Sequence, residues 1–248
     1  MSCESPIGFF DSGVGGLAVR DAVLRILPGE DTVYIADSAN CPYGPKPAEF
    51  VRQRSLELSR KLVDLGCKMV VVACNTATAA AIDALRAEWP QLPIIGMEPA
   101  VKPAAARSKS GIVGVLATKG TFGGRLYRDT CSRYAGNVRV IASVADEFVE
   151  MVERGEVDGP EAERIARGKL EPLLSAGADS IVLGCTHFLH LAPLLGRIAA
   201  GRAELVDPSD AVAGQVRRVL AARGLLADRA VAGTSRVMRT SNVENLKG

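Results

Sequence analysis

Two cysteines stand where a chain of this kind can place reactive groups. Cys74 lies in VVVACNTATAAAI and Cys185 in SIVLGCTHFLHL; each directly follows a short apolar run and has a threonine within two positions. A pair of equivalent thiols suits inversion at a carbon stereocentre. One group removes a proton from one face, the other delivers a proton to the opposite face, and the reverse reaction exchanges their roles. A free thiol ionises near pH ~8.5, and a helix N-terminus or a nearby cation lowers that value. Cys74 precedes a helical pattern expected to open near Thr76, whose dipole favours the thiolate. His187 stands two positions after Cys185 and can adjust that thiol. A carbon acid of this type is far weaker than a thiol. The site must therefore also stabilise the developing carbanion with placed donors and exclude water.

Each of these residues also has a plainer reading. Unpaired cysteines are mostly small core hydrophobes, and Cys3, Cys41, Cys67 and Cys131 are read that way. His187 and His190 form H-x-x-H, but no further Cys/His cluster completes a metal site, so no metal is expected. A Cys–His hydrolase would leave the second cysteine unexplained. GVGG at 13–16 has the look of a phosphate loop without the Lys-Ser/Thr that makes such a loop specific. Asp11 reads equally as a turn or N-cap residue. Pro42-Tyr43-Gly44 reads as a turn, or as backbone N–H groups offered to a carboxylate. Glu150 and Glu153 read by pattern as the solvated face of a helix.

Short apolar runs at 7–10, 33–36, 69–73, 93–95, 112–116, 138–141, 180–183 and 204–206 alternate with amphipathic stretches such as 47–65, 76–88 and 160–176. Continuous apolar strands spaced by helices predict a parallel sheet covered on both faces, hence an α/β class. The pattern then repeats. IGFFDSGVGG from Ile7 and VGVLATKGTFGG from Val113 are each strand, turn, Gly-Gly and helix, and a strand-end cysteine follows at a similar distance in each half. We read residues 1–97 with 207–226 as a first α/β domain, 98–206 as a second, and 227–248 as a weakly patterned tail. Ligands of open parallel sheets bind beyond the carboxyl ends of the strands. Those ends carry Asp11, Ser12, Cys74, Asn75 and Thr76 in the first half, and Thr118, Cys185, Thr186 and His187 in the second. If the halves face each other, the two thiols point into one cleft from opposite sides.

Composition narrows the classes. The 248 residues are 48% hydrophobic and 23% charged, with a formal net charge of +2. That supports a core in each half and offers no basic, aromatic-interleaved stripe for nucleic acid. The start, MSCESPIGFF, lacks the features of a secretory signal, and no apolar run is long enough for a membrane span. Six cysteines without a C-x-x-C pair, in a chain of this length, predict reduced thiols and a cytoplasmic protein.

The motifs DSGVGG (11–16), CPYG (41–44), VVACNTATAAAI (71–82), GMEPAVKPAA (96–105), GVLATKGTF (114–122), LGCTH (183–187) and VDPSDAVA (206–213) resemble the aspartate/glutamate racemase family, specifically the glutamate racemases of bacterial cell-wall synthesis. They run in the family's order over nearly the whole chain. The resemblance implies two pseudo-symmetric flavodoxin-like domains with the active site at their interface. It implies interconversion of L- and D-glutamate without cofactor or metal, supplying D-glutamate for peptidoglycan, commonly by a homodimer. It gives Cys74 the α-proton of D-glutamate and Cys185 that of L-glutamate, assisted by Asp11 and His187, with Glu153 matching a glutamate assigned to the second thiol. Asp11 and Ser12, Tyr43 and Gly44, Asn75 and Thr76, Thr118 and Thr121, and Thr186 and His187 match its substrate-binding positions. The sequence departs from the family at Phe188-Leu189, where Tyr-Pro is usual, and at Asp146-Glu147 before Phe148. His187 distinguishes the chain from aspartate-type relatives, which resemble Cys-Thr-Glu there. A broader amino-acid or hydantoin racemase, and a non-catalytic gyrase-binding relative, are the competing readings. The presence of both cysteines disfavours the last.

Overall fold

A computed structural model describes residues 2–240 except 135, 137 and 230. From the N-terminus the elements are β1 (Ile7–Asp11), α1 (Leu17–Ile26), β2 (Thr32–Ala36), α2 (Ala48–Asp64), β3 (Met69–Val72), α3 (Asn75–Glu88) and β4 (Ile94–Gly96). There follow α4 (Val101–Arg107), β5 (Ile112–Ala117), α5 (Lys119–Phe122), α6 (Arg125–Tyr134), β6 (Arg139–Val144), α7 (Glu147–Glu153), α8 (Pro160–Ser175), β7 (Ser180–Leu183), α9 (Ala192–Ala199) and β8 (Glu204–Val206). Last among the described residues come α10 (Ser209–Ala222) and β9 (Ser235–Arg239). Short 3-10 turns at Ser38–Asn40 and Thr186–Leu191 follow β2 and β7. The chain divides into two compact units; one runs to Met97 and resumes at Ser209, and the other spans Glu98–Pro208.

The first unit holds a sheet in the order β4-β3-β1-β2-β9, the second a sheet in the order β6-β5-β7-β8. Among the described residues every strand pair is parallel. β1, β2, β3 and β7 are buried along their whole length, as continuous apolar runs under helices on both faces require. In the first unit Ile7, Phe9, Tyr34, Met69 and Val71 pack with Val19 and Val23 of α1 and Val216 and Leu220 of α10. In the second, Val113, Val115 and Val182 pack with Val101 and Ala104 of α4.

The two sheets share one strand order. Read outward from the first strand of each unit, β4-β3-β1-β2 corresponds to β8-β7-β5-β6. The chain starts in the middle, moves one way to β2 or β6, then crosses back to β3 or β7. The order therefore reverses beside the first strand of each unit, and the crevice for ligand opens at such a reversal. The α/β class and the internal repeat expected from the sequence are both present. The sequence reading has no strand beyond Val206; β9 adds a fifth strand beside β2, with Ala36 opposite Arg239.

Candidate active site

At the reversal in the first unit, the ends of β1 and β3 are tied together by Ala73 N–H donating to Phe10 O at 2.8 Å. This puts Asp11 and Cys74 at the same edge. Cys74 is the N-cap residue of α3, with extended backbone, and its Sγ accepts the Ala77 N–H at 3.5 Å. Four N–H groups at a helix start have no partner within the helix. A sulfur that accepts one of them is held more strongly as thiolate, and the dipole of this 14-residue helix adds about 0.3–1 kcal/mol in the same direction.

Beside it, the buried Asp11 carboxylate closes the glycine-rich turn. One oxygen accepts Ser12 N–H at 2.7 Å and the other Gly16 N–H at 2.7 Å. The Tyr34 hydroxyl donates to Gly13 O at 2.8 Å from the far side of the same turn. Gly16 N–H is thus committed to Asp11, which removes it as a phosphate donor. Gly16 must lack a side chain, because a Cβ there would lie 2.8 Å from Ala73 O and from the Tyr34 hydroxyl. Asn75 is 3% exposed, and neither its amide nitrogen nor its oxygen has a hydrogen-bond partner among the described residues. A buried amide left this way costs about 1–3 kcal/mol, and both of its polar atoms are available to a ligand. Thr76 is buried next to it.

Tyr43 and Gly44 are buried in the loop after β2. The Tyr43 hydroxyl donates to Asp37 Oδ2 at 2.6 Å. Burial, the Asp37 charge and hydrogen bond, and the charge of Cys74 all push its pKa far above the ordinary phenol value. Tyr43 is therefore a neutral donor beside Cys74. Asp37 was no candidate in the sequence, yet it gathers Tyr43, Arg54, Asn40 and Thr240 onto one carboxylate. Burial works to raise its pKa, and the bonds from Arg54, Tyr43, Thr240 and Asn40 outweigh it and hold it below the usual carboxylate value. The available signal was its position: like Asp11, it is an aspartate at the carboxyl end of a strand.

The second unit repeats the plan. Gly184 N–H donates to Leu116 O at 2.7 Å, so the ends of β5 and β7 meet and bring Thr118 and Cys185 to one edge. Thr118 caps α5; its Oγ1 accepts Thr121 N–H at 3.4 Å and lies 3.0 Å from Thr121 Oγ1. Cys185 is the N-cap residue of the 3-10 turn, and its Sγ lies 3.9 Å from His187 Nδ1. His187 Nε2 lies 2.6 Å from Glu153 Oε1. Thr186 and His187 are buried. A carboxylate on Nε2 holds the proton on that nitrogen and leaves Nδ1 as an acceptor facing the thiol. Glu153 thus reaches this group from α7, although its sequence pattern suggested a solvated face. Packing brings it there: the rings of Phe148 and Phe188 meet edge to face at 5.1 Å, which seats α7 on the 3-10 turn. Phe188, a departure from the usual motif, is part of that contact.

Gly184 stands where Ala73 does in the first unit, directly before the cysteine, and like Gly16 it has no room for a side chain. A Cβ on it would lie 2.8 Å from Leu116 O and 2.9 Å from Ala117 Cβ. The backbone cannot yield without moving Cys185. Gly184→Ala is expected to cost about 1–3 kcal/mol through overpacking and to lower turnover with it. Gly168→Ala, on an exposed stretch of α8 with nothing within 4 Å, is expected to stabilise by up to about 1 kcal/mol. Thermal unfolding of both variants checks the opposite signs.

All six cysteines are thiols. Cys67 shows what a structural one looks like: burial alone pushes its pKa up to about 12. Among the described residues no helix is long and apolar enough to cross a membrane.

The model of the Asp/Glu/Hydantoin racemase family matches residues 15–216. A glutamate racemase of Methylococcus capsulatus is 50% identical over 230 residues, which cover 93% of this chain and 84% of that protein. The crystal structure of glutamate racemase from Thermus thermophilus, in complex with beta-chloro-D-alanine, superposes with a TM-score of 0.79 at 36% identity, covering 98% of this chain and 91% of that one. That of Francisella tularensis, in complex with D-glutamate, gives a TM-score of 0.84 at 29% identity over 96% and 89% of the two chains. The chain carries this family's fold and motifs from end to end of the match, and it belongs to the Asp/Glu/Hydantoin racemase family as an amino-acid racemase.

Proposed function

We propose that this racemase interconverts L- and D-glutamate without a cofactor, by a two-base mechanism in which Cys74 and Cys185 act on opposite faces of one α-carbon. The observation that carries the reading is the equivalence of the two thiols. Each is an N-cap residue just past the strand at which its sheet reverses order, and each has its own polar support. The names of the relatives support glutamate as the substrate.

In the D-to-L direction the Cys74 thiolate takes the α-proton, and the electron pair stays on carbon, delocalised into the α-carboxyl group. The Cys185 thiol then delivers its proton to the other face, leaving Cys74 as thiol and Cys185 as thiolate. In the L-to-D direction that same form reacts: the Cys185 thiolate takes the α-proton, and the Cys74 thiol delivers its proton to the other face. His187 Nδ1 faces Cys185 Sγ and stabilises its thiolate when the ring is protonated, with Glu153 on Nε2 holding the ring in place. On the first side the helix start and Ala77 N–H favour the thiolate, and Asp11 holds the turn against which the substrate sits. Ser12, Tyr43, Gly44, Asn75, Thr76, Thr118, Thr121 and Thr186 supply donors and acceptors for the substrate's amino and carboxyl groups, with the unpartnered Asn75 amide the strongest candidate among them. The reading extends to a cytoplasmic homodimer that supplies D-glutamate to peptidoglycan synthesis.

The test is α-proton exchange. Incubated in D2O with L-glutamate, D-glutamate or L-aspartate, the protein is expected to exchange the α-proton of both glutamate enantiomers and lose their optical purity, with aspartate far slower. Exchange with aspartate alone, or with none of the three, would sink the proposal.

A further inference from the structure

The C-terminal strand is wired into the loop that carries Tyr43. β9 runs parallel to β2 along its full length, and Thr240 follows it directly. Thr240 N–H donates to Ala36 O at 2.9 Å. Its Oγ1 donates to Asp37 Oδ1 at 2.8 Å and accepts Ala39 N–H at 3.1 Å. The same carboxylate receives the Tyr43 hydroxyl at 2.6 Å and Arg54 of α2 at 2.8 Å. Asp37 N–H donates to Asp11 O at 2.9 Å, which fixes this junction against the end of β1. One fully buried carboxylate therefore joins the last strand, the 38–44 loop and α2.

We propose that Thr240 is a positioning residue for substrate binding, and that β9 acts as a latch holding the Tyr43–Gly44 loop in its binding geometry. The proposal rests on the reading that Tyr43 and Gly44 contact glutamate. Thr240 touches no reacting atom. It acts by filling one acceptor site on Asp37 and by accepting the Ala39 N–H, so both the carboxylate that orients Tyr43 and the backbone entering the loop keep their places. Valine has the same shape and neither bond. Serine has both bonds and less bulk. An edge strand that served only to complete the sheet would need the backbone bonds alone, and its side-chain hydroxyl would be dispensable for binding.

The full-length chain and its Thr240→Val, Thr240→Ser and Thr240→Ala variants are compared in racemisation kinetics with L- and D-glutamate and in thermal unfolding. Losing the hydroxyl in Thr240→Val is expected to raise KM about tenfold, with kcat within about twofold, because the bond serves binding in the ground and transition states alike. Thr240→Ser is expected to return KM to near the parent value. Should Thr240→Val fail to fold, Thr240→Ala removes the same two bonds and carries the same expectation. Parent-like KM in a folded variant lacking the hydroxyl, even with a lowered melting temperature, overturns the latch while glutamate racemisation stands. Failure of serine to rescue KM overturns it as well. A parent chain that turns over neither glutamate enantiomer overturns the glutamate reading, and the latch with it.

Discussion

Replacing either Cys74 or Cys185 with alanine is expected to lower glutamate racemisation by about a thousandfold or more, the upper part of the range for losing a general acid or base. Inversion needs a base on one face and an acid on the other, so neither thiol can cover for its partner. The two losses should nevertheless differ in kind. On the proposed assignment of faces, Cys185→Ala keeps a thiol facing the α-proton of D-glutamate. That proton should still wash out slowly into D2O with retention of configuration, while L-glutamate stays unlabelled. Cys74→Ala should do the reverse. Proton NMR of the α-position alongside circular dichroism separates exchange from inversion. Near-normal racemisation in either single variant rules out the two-base mechanism, and equal labelling of both enantiomers in one variant rules out the assignment of faces. Cys67→Ala is the internal control. Its thiol is held neutral by burial, with a pKa up to about 12, and removing it should leave turnover unchanged.

This pair was legible in the sequence because its signal is local. An apolar run, a cysteine and a helical pattern sit within about twenty residues, and the internal repeat shows them twice. All eight expected strands are present for the same reason, each a short apolar run bounded by turns. What periodicity and local pattern do not show is what packing brings together from afar. Glu153, pointed to by the family resemblance alone, meets His187 across 34 positions, through a contact between α7 and a 3-10 turn that depends on Phe148 and Phe188. No periodicity reports such a meeting, and by pattern alone a helix glutamate belongs to water. Thr240 meets Asp37 across 203 positions. β9 itself escaped because SRVMR is mostly exposed and carries two arginines. That is how an edge strand avoids pairing with other chains, and it erases the apolar signature by which central strands are recognised. The helical stretches expected at 47–65, 76–88 and 160–176 lie within a residue of Ala48–Asp64, Asn75–Glu88 and Pro160–Ser175. The expected start of α3 near Thr76 falls one residue late, and the correction matters, since it makes Cys74 the N-cap itself.

Lys68→Met is expected to produce the largest loss of stability, about 3–5 kcal/mol, the usual cost of removing one partner from a buried ion pair. Lys68 and Glu30 have side chains 0% and 2% exposed, with Nζ and Oε2 2.6 Å apart. Nζ also donates to Cys3 O at 2.5 Å, and Glu30 Oε1 accepts Ala227 N–H at 2.8 Å. The pair thus ties the N-terminal segment, the turn before β2, the start of β3 and the segment leading to β9. Without the ammonium, the buried Glu30 carboxylate loses its nearest cation. The double variant Lys68→Met/Glu30→Gln removes that charge and keeps an oxygen for Ala227 N–H, so it should recover much of the loss. For a chain of this size a loss of that order lowers the melting temperature by roughly 10 °C. Lys68 lies at the amino end of β3, whereas Cys74 lies past its carboxyl end, so kcat measured well below the melt should stay near that of the parent. A single variant as stable as the parent, or a double variant worse than the single, means that the pair contributes nothing beyond what packing already provides. A fall in kcat at low temperature means instead that the two ends of β3 are coupled, and that the scaffold under Cys74 is softer than its burial suggests.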